Sequence, residues 1–185
     1  MKKWKKYFWL VAGGCFAVAR GTIFGQESAN AVFFPKENPT MEIEFPAGFK
    51  AAFRKDGAYL AVGPKTVMAL VAWEKVKDAA AAKSGLPEFA KSFLLRSLSF
   101  REVSTPSVED AKLALMFEEE KPVAAKVLTA AGKNSDGDEM FVSATAFPWE
   151  HRYYVLVAVC KPGDKDQLEK DRLFVQRSIN YINDD

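Results

Sequence analysis

The stretch Arg152–Cys160 reads RYYVLVAVC, and none of its side chains from Tyr153 onwards carries a charge. Because successive residues of a strand point to opposite faces of a sheet, a strand of this composition is apolar on both faces. The strand predicted over Val67–Val76 has the same property from Val67 to Trp73. Both strands are therefore expected in the middle of a sheet that is covered on its two sides.

Two amphipathic helices are available to cover this sheet. The first is predicted over residues 87–100, with Pro87 in its first turn, and a separate helical turn can precede it at 78–83. The second is predicted over residues 165–182, where Asp164 and Gln167 form a capping-box-like pair. Its apolar residues recur at helical spacing and mark a buried stripe: Leu168, Val175, Ile179 and Ile182.

The remaining strands are predicted from alternation and from turn residues. Asp56-Gly57 between two apolar runs indicates a hairpin, since glycine adopts a positive φ without steric cost. Residues 32–40 show no periodicity and are interpreted as a lead-in segment, and residues 132–138 as a polar turn. These strands are expected at Met41–Phe45, Phe49–Arg54, Ala58–Val62, Lys112–Glu118, Val123–Ala131 and Glu139–Phe147.

The fold class follows from these elements. Short connections between consecutive strands favour antiparallel pairing. The sequence therefore predicts an α+β fold, a twisted and mainly antiparallel sheet of about six to eight strands with a helix on each face. One domain is expected over residues 41–182, followed by a frayed tail at 183–185.

The N-terminus has the layout of a secretory signal peptide. Four lysines within residues 2–6 precede the apolar stretch Phe8–Ala19, which ends at Arg20. This arrangement predicts that residues 1–31 form a signal peptide that is removed on export. Ala29-Asn30-Ala31 is one of three cleavage sites that match the small-x-small rule.

The cleavage site stays open, since the motifs that end at Gly21 and Gly25 also match loosely. Two further alternatives concern the membrane. Cys15 follows Gly13-Gly14 in a weak lipobox-like context, which would attach a lipid. An uncleaved apolar segment would instead anchor the chain, although it is short for a membrane span.

The apparent basicity of the chain belongs to this segment. Residues 1–31 hold five of the 26 basic and one of the 24 acidic residues, so the chain from Val32 carries a net charge of −2. No cluster of basic residues with interleaved aromatic residues remains, which argues against nucleic-acid binding. Cys160 is the one cysteine left after cleavage. It is interpreted as a buried, unreactive thiol without a disulfide.

Two parts of the chain resemble the PsbP-like superfamily. Ile43–Phe49 (IEFPAGF) is similar to the family's opening pattern of strand, proline, small residue, glycine and aromatic residue. The strand from Tyr153 and the final helix with Phe174 and Ser178-Ile179 are similar to its closing part. The resemblance extends over residues 41–182 and implies an α–β–α sandwich.

The family includes extrinsic photosystem subunits, a Ran-binding import factor and exported bacterial proteins. The resemblance therefore implies non-enzymatic binding or assembly. It transfers no metal-binding or partner-binding residue to a position of this chain.

Motifs that carry catalysis are missing from the sequence. It has no H-E-x-x-H, no paired C-x-x-C, no G-x-S-x-G and no glycine-rich phosphate loop. A dyad of His151 and Cys160 would need about 3 Å, whereas one strand would separate the two residues by roughly 30 Å. The acidic loop Asn134–Glu139 fails as an EF-hand, because Gly132 and Ser143 occupy positions that require acids. The sequence therefore predicts no catalytic residue, no metal ligand and no cofactor.

One turn concentrates residue types that are common at binding sites. Trp149, Glu150, His151 and Arg152 lie in the connection before the last strand. Loop tips with such residues frequently recognise partners, so these four are the candidate binding residues. The alternative is that Trp149 and Tyr153 fold back onto the sheet edge and contribute only packing.

These observations favour an exported, non-enzymatic binding or assembly module of the bacterial cell envelope. It would be periplasmic or extracellular, with an unknown protein or a small ligand as partner. One alternative is a small exported hydrolase that uses carboxylates, for which a pocket with two acids of raised pKa would be evidence. The other is an envelope-anchored structural protein, whose membrane contact would be an uncleaved or lipidated N-terminus.

Overall fold

The structure is a computed structural model that describes residues 30–74, 76–113, 122–149 and 152–182. The predictions for residues 1–29, including lipidation of Cys15, and for the tail 183–185 lie outside these ranges. In chain order the strands are β1 (Asn30–Phe34), β2 (Met41–Phe45), β3 (Lys50–Phe53), β4 (Tyr59–Val62), β5 (Thr66–Trp73), β6 (Phe100–Val103), β7 (Ser107–Leu113), β8 (Val123–Asn134), β9 (Glu139–Trp149), β10 (Arg152–Cys160) and β11 (Asn180–Tyr181). The helices in these ranges are α1 (Ala79–Ser97) and α2 (Lys165–Arg177), and the short 3-10 turn Pro162–Asp164 leads into α2.

The described strands form two sheets. The larger one has eight strands in the order β3-β4-β5-β10-β9-β8-β6, with β7 paired along another part of β8. Its neighbouring strands are all antiparallel. The smaller one has the order β1-β2-β11 and is also antiparallel. The predicted α+β fold with a large antiparallel sheet is confirmed.

Strand β10 contributes to a core on each face of the large sheet, as its composition predicts. Val155 and Val157 belong to the cluster that packs under α1. Tyr154 and Leu156 belong to the opposite cluster, which also contains Leu168 of α2 and buried residues of β1 and β2. One face is thus covered by α1, and the other by α2 together with the small sheet.

Helix α1 is longer than predicted. The sequence placed its start at Pro87, but one continuous helix begins at Ala79 and ends at Ser97. The carboxylate of Asp78 accepts a hydrogen bond from the Ala81 N–H at 2.8 Å and caps the N-terminus. Because this cap and the alanines that follow stabilise the first turns, the helix continues through Pro87.

The prediction of a lead-in segment without strand structure at 32–40 is wrong for residues 32–34. Residues 30–34 form β1, whose Val32 pairs with Ile43 of β2. Val32 and Phe34 are buried, whereas Phe33 is exposed. Residues 31–34 are all apolar, so the sequence shows no alternation that would indicate a strand. Pairing with β2 stabilises this strand.

The C-terminal helix is shorter than predicted. Helix α2 ends at Arg177, and the chain then forms β11 beside β2. The predicted capping box is absent, because Asp164 makes no side-chain cap and the Gln167 amide donates to Asp171 instead. The buried stripe is confirmed at Leu168, Val175 and Ile179, whereas Ile182 is only half-buried.

Three differences concern the strands before β10. The strand predicted at Lys112–Glu118 begins earlier, as β7 at Ser107, and residues 114–121 lie outside the described ranges. Strand β6 was not predicted. Strand β8 continues through Gly132 to Asn134, so the polar turn is confined to residues 134–138.

Candidate functional site

The structure describes two of the four candidate residues in the turn between β9 and β10. Trp149 is 3% exposed and belongs to the core cluster beneath α2. Its indole N–H donates to the Thr40 carbonyl at 3.0 Å. These contacts favour the packing interpretation for Trp149, since a buried side chain is not presented to a partner.

Arg152 lies at the exposed start of β10, opposite Trp149 in the strand register. Glu150 and His151 lie outside the described residues. The distance between His151 and Cys160 is therefore not described either. The binding role of this turn therefore stays a prediction.

Cys160 is buried at the end of β10, as expected. Burial raises the pKa of its thiol to about 11, and the nearby charge of Asp164 acts in the same direction. A thiol with this pKa is almost entirely protonated at neutral pH and is a poor nucleophile.

The acidic loop 134–138 has the geometry of a hairpin turn. The Asn134 side-chain oxygen accepts hydrogen bonds from the Asp136 and Asp138 N–H groups at 3.0 and 2.8 Å. Gly137 has a φ of +83°, a conformation that glycine adopts without strain. Within the described residues, no three His, Cys, Asp or Glu side chains converge as a metal site would require.

An open groove lies between β2 and the outer face of α2. Its volume is ≈ 480 Å³. We call it the α2 groove, and its lining consists of Glu44, Lys170, Leu173, Phe174, Arg177 and Ser178.

The apolar lining of the groove faces solvent. Leu173 and Phe174 are 36% and 45% exposed. At 3.6 residues per turn, Leu173 lies opposite to the buried Leu168 and Val175, and Phe174 lies about 100–120° from them around the helix axis. These two adjacent side chains give the groove a small apolar surface that is open to solvent.

Buried hydrogen bonds fix the rotation of α2 on the large sheet. The Asp171 carboxylate accepts from the Thr66 hydroxyl at 2.6 Å and from the Gln167 amide at 2.8 Å. One turn further along, the Gln176 amide donates to the Thr145 hydroxyl at 3.3 Å. Because these bonds hold the polar residues of α2 against β5 and β9, the apolar residues on its other side are held outward.

Ser178 joins the end of α2 to the opposite wall of the groove. Its Oγ accepts from the Glu44 N–H at 2.8 Å and lies 3.0 Å from the Glu44 carbonyl and 2.8 Å from the Val175 carbonyl. A single hydroxyl therefore links β2 to the last turn of α2. Hydrogen bonds therefore join the two walls of the groove.

Two of the three charged side chains that line the groove are basic. Lys170 and Arg177 are exposed at its two ends, and neither forms an ion pair with another described residue. By contrast, Arg172 on the same helix is paired with Glu169. Glu44 supplies the acidic side chain on the β2 wall.

The exposed outer face of the small sheet adds a further apolar side chain. Phe33 is 54% exposed and pairs with Glu42 in the register of β1 and β2. Glu42 and Glu44 occupy alternate positions of β2, whose other residues are buried. Phe33 and the β2 wall of the groove thus share the solvent side of the small sheet.

A second groove of ≈ 480 Å³ runs along α1. Its aromatic residues are engaged with one another: the Phe89 ring lies 4.7 Å from that of Trp73 and stacks on that of Phe93 at 6.2 Å. Trp73 is buried. The α2 groove is the stronger candidate, because its apolar side chains are more exposed.

The residues of the α2 groove are not among the candidate binding residues predicted from the sequence. A signal was present, since Leu173-Phe174 is an apolar pair that lies outside the stripe of Leu168 and Val175. The contribution of Glu44 had no such signal, because 134 residues separate it from Ser178.

Comparison with solved structures identifies the fold. The solution structure of cyanobacterial PsbP (CyanoP) from Synechocystis sp. PCC 6803 matches with a TM-score of 0.58 at 13% sequence identity, over 88% of this chain and 99% of that one. A crystal structure from Bacteroides thetaiotaomicron matches with a TM-score of 0.53 at 9% identity, over 85% of this chain and 50% of that one. LpqN, involved in cell envelope biogenesis of Mycobacterium tuberculosis, gives a TM-score of 0.46 at 11% identity, over 85% and 93% of the two chains.

The chain is therefore an α+β sandwich with a PsbP-like fold, which confirms the resemblance at the level of the fold. Neither a protein-family model nor a curated protein sequence matches it. At identities this low, the likeness concerns the arrangement of helices and strands and not the site.

Proposed function

We propose that this chain is an exported, non-enzymatic binding module of the bacterial cell envelope that contacts its partner through the α2 groove. The observation that carries the proposal is the exposure of Leu173 and Phe174 on a helix whose other face is fixed by buried hydrogen bonds. Preorganised apolar side chains bind with little loss of conformational entropy. Arg177, which lines the same groove, is of a residue type that is enriched among the residues that dominate binding energy at protein interfaces.

Export is supported by the lysine-rich and apolar N-terminal pattern of the sequence. Within the described ranges, no helix is both long and apolar enough to cross a membrane. The fold likeness to CyanoP, a cyanobacterial PsbP, is consistent with a binding role and supports it only through the fold.

Site-specific photo-crosslinking in the living host tests this proposal. A photoreactive phenylalanine analogue is placed at Phe174, and as a matched control at Leu95, which is 37% exposed on α1. A discrete adduct from position 174 that is missing from position 95 is the expected result. Failure of position 174 to form any adduct, or the same adducts from both positions, would contradict the proposal.

A further inference from the structure

We infer that the partner of the α2 groove is an acidic peptide segment with one large apolar residue between its carboxylates. This inference rests on the proposed function, because it takes the groove as the binding surface. The argument uses the charges of the groove, their spacing and the shape of the surface.

The charges favour an acidic partner. Lys170 and Arg177 are seven positions apart on one face of α2, which corresponds to about 10 Å along the helix axis. Leu173 and Phe174 lie between them. Since neither cation is paired within the described part of the chain, carboxylates from a partner would complete both ends of the groove.

The spacing fits an extended peptide. Residues two positions before and after a central residue are about 13 Å apart in an extended chain, because each residue contributes ~3.3 Å. Carboxylates at those positions reach the two cations of α2 while the central side chain enters the groove. In a helical partner, acids one turn before and one turn after the central residue would reach the same two cations.

The shape of the groove favours a peptide over a membrane surface. The β2 wall, formed by Glu44 and attached to α2 through Ser178, makes the surface concave, so a single side chain can insert. The Glu44 carboxylate can accept hydrogen bonds from the N–H groups of a peptide that lies along this wall.

The test uses fluorescein-labelled peptides of seven residues. The central residue is tryptophan, phenylalanine or leucine, with one glycine on each side of it and two glutamates at each end. Fluorescence polarisation measures binding to the protein without its N-terminal signal segment, and amide chemical shifts locate the site. We expect at least one peptide to bind, with shifts centred on residues 170–178 and Glu44. Arg177→Glu and Phe174→Ala should each weaken binding about tenfold, the equivalent of ~1.4 kcal/mol.

Matched controls separate charge from apolar contact. Arg177→Lys retains the charge and should keep most of the affinity. Peptides with lysine in place of glutamate, or with alanine at the centre, should bind at least tenfold more weakly.

Three results would overturn the inference: no binding by any acidic peptide, shifts located away from α2, or binding to phosphatidylglycerol vesicles in place of peptides. The proposed function is judged separately by the adduct formed at position 174. If position 174 forms an adduct but no acidic peptide binds, the groove remains a binding surface and the acidic partner is rejected.

Discussion

The indole N–H of Trp149 donates a hydrogen bond to the carbonyl oxygen of Thr40 at 3.0 Å, although 109 residues separate them in the sequence. The hydroxyl of the same threonine lies 2.9 Å from the Tyr154 hydroxyl. Thr40 immediately precedes β2, whereas Trp149 ends β9. These contacts attach the small sheet to the large one, and the β2 wall of the α2 groove depends on that attachment.

Trp149→Ala is expected to destabilise the protein by ~3–5 kcal/mol, the usual range for removal of a buried tryptophan. Trp149→Phe keeps most of the packing and loses the hydrogen bond to Thr40, so its cost should be about 1–2 kcal/mol. Urea denaturation measures both. Val157→Ala in the central strand is the positive control for a core truncation. If Trp149→Ala leaves the free energy of unfolding unchanged, this tryptophan is not part of the core.

Thr66→Val should destabilise the protein by about 1–3 kcal/mol, because it leaves one oxygen of the buried Asp171 carboxylate without its donor. Thr66→Ser retains the hydroxyl, so its free energy of unfolding should be closer to that of the unchanged protein. Comparable losses in the two variants would show that the methyl group, and not the hydrogen bond, matters at this position. The free energy of unfolding again provides the measurement.

Phe174→Ala should change the free energy of unfolding by less than about 1 kcal/mol, because the side chain is half exposed on α2. Leu168→Ala on the buried side of the same helix should cost ~2–5 kcal/mol. A loss from Phe174→Ala as large as that from Leu168→Ala would assign Phe174 to the core and remove it from the binding surface.

Cys160 should resist alkylation by iodoacetamide at pH 8 in the folded protein and react at once in urea. With a pKa of about 11, roughly one thiol in a thousand is ionised at pH 8, against roughly one in ten for an ordinary thiol. Peptide mass mapping locates the label and so separates Cys160 from Cys15. Rapid labelling without denaturant would show that the thiol is accessible and ionised.

The same pKa shift predicts a loss of stability at alkaline pH. The pKa of Cys160 in the folded protein lies above its ordinary value of 9.0. Its contribution to the free energy of unfolding is therefore complete below pH 9 and is lost as the pH rises through about 11. Cys160→Ala should show a shallower fall in stability over this interval. The pKa of Tyr153, which burial also raises, contributes to both proteins and does not affect their difference.

Gly132→Ala is expected to destabilise the protein by about 1–3 kcal/mol through overpacking. A Cβ at this position would lie 2.7 Å from the Glu102 carbonyl oxygen and 2.9 Å from the Phe100 ring, where β6 pairs with β8. Gly163→Ala is the control, since nothing lies within 4 Å of its Cβ position. Equal stability of the two variants would show that β6 can move away from β8.

The elements with strong local signals were predicted well. The alternation in β2 and the Asp56-Gly57 turn require only a few neighbouring residues, and both are confirmed. Helix α1 begins before the predicted Pro87, because the Asp78 cap and the alanines after it stabilise helix on the N-terminal side of this proline. Strands β1, β6 and β11 (NAVFF, FREV and NY) have neither this alternation nor an Asp-Gly turn, so the local sequence does not distinguish them from loops.

The sequence by itself determined that β5 and β10 are central and that layers cover both sides of them, because strands with two apolar faces lose stability in contact with water. It also contained the outward position of Leu173 and Phe174, which follows from the helical period. Only the tertiary structure decided that these residues form one wall of a groove. The other wall is Glu44, brought there by pairing of β1, β2 and β11 and by a hydrogen bond to Ser178 that spans 134 residues. Backbone pairing between such distant segments uses N–H and C=O groups that every residue except proline possesses, so it leaves no mark in the local sequence.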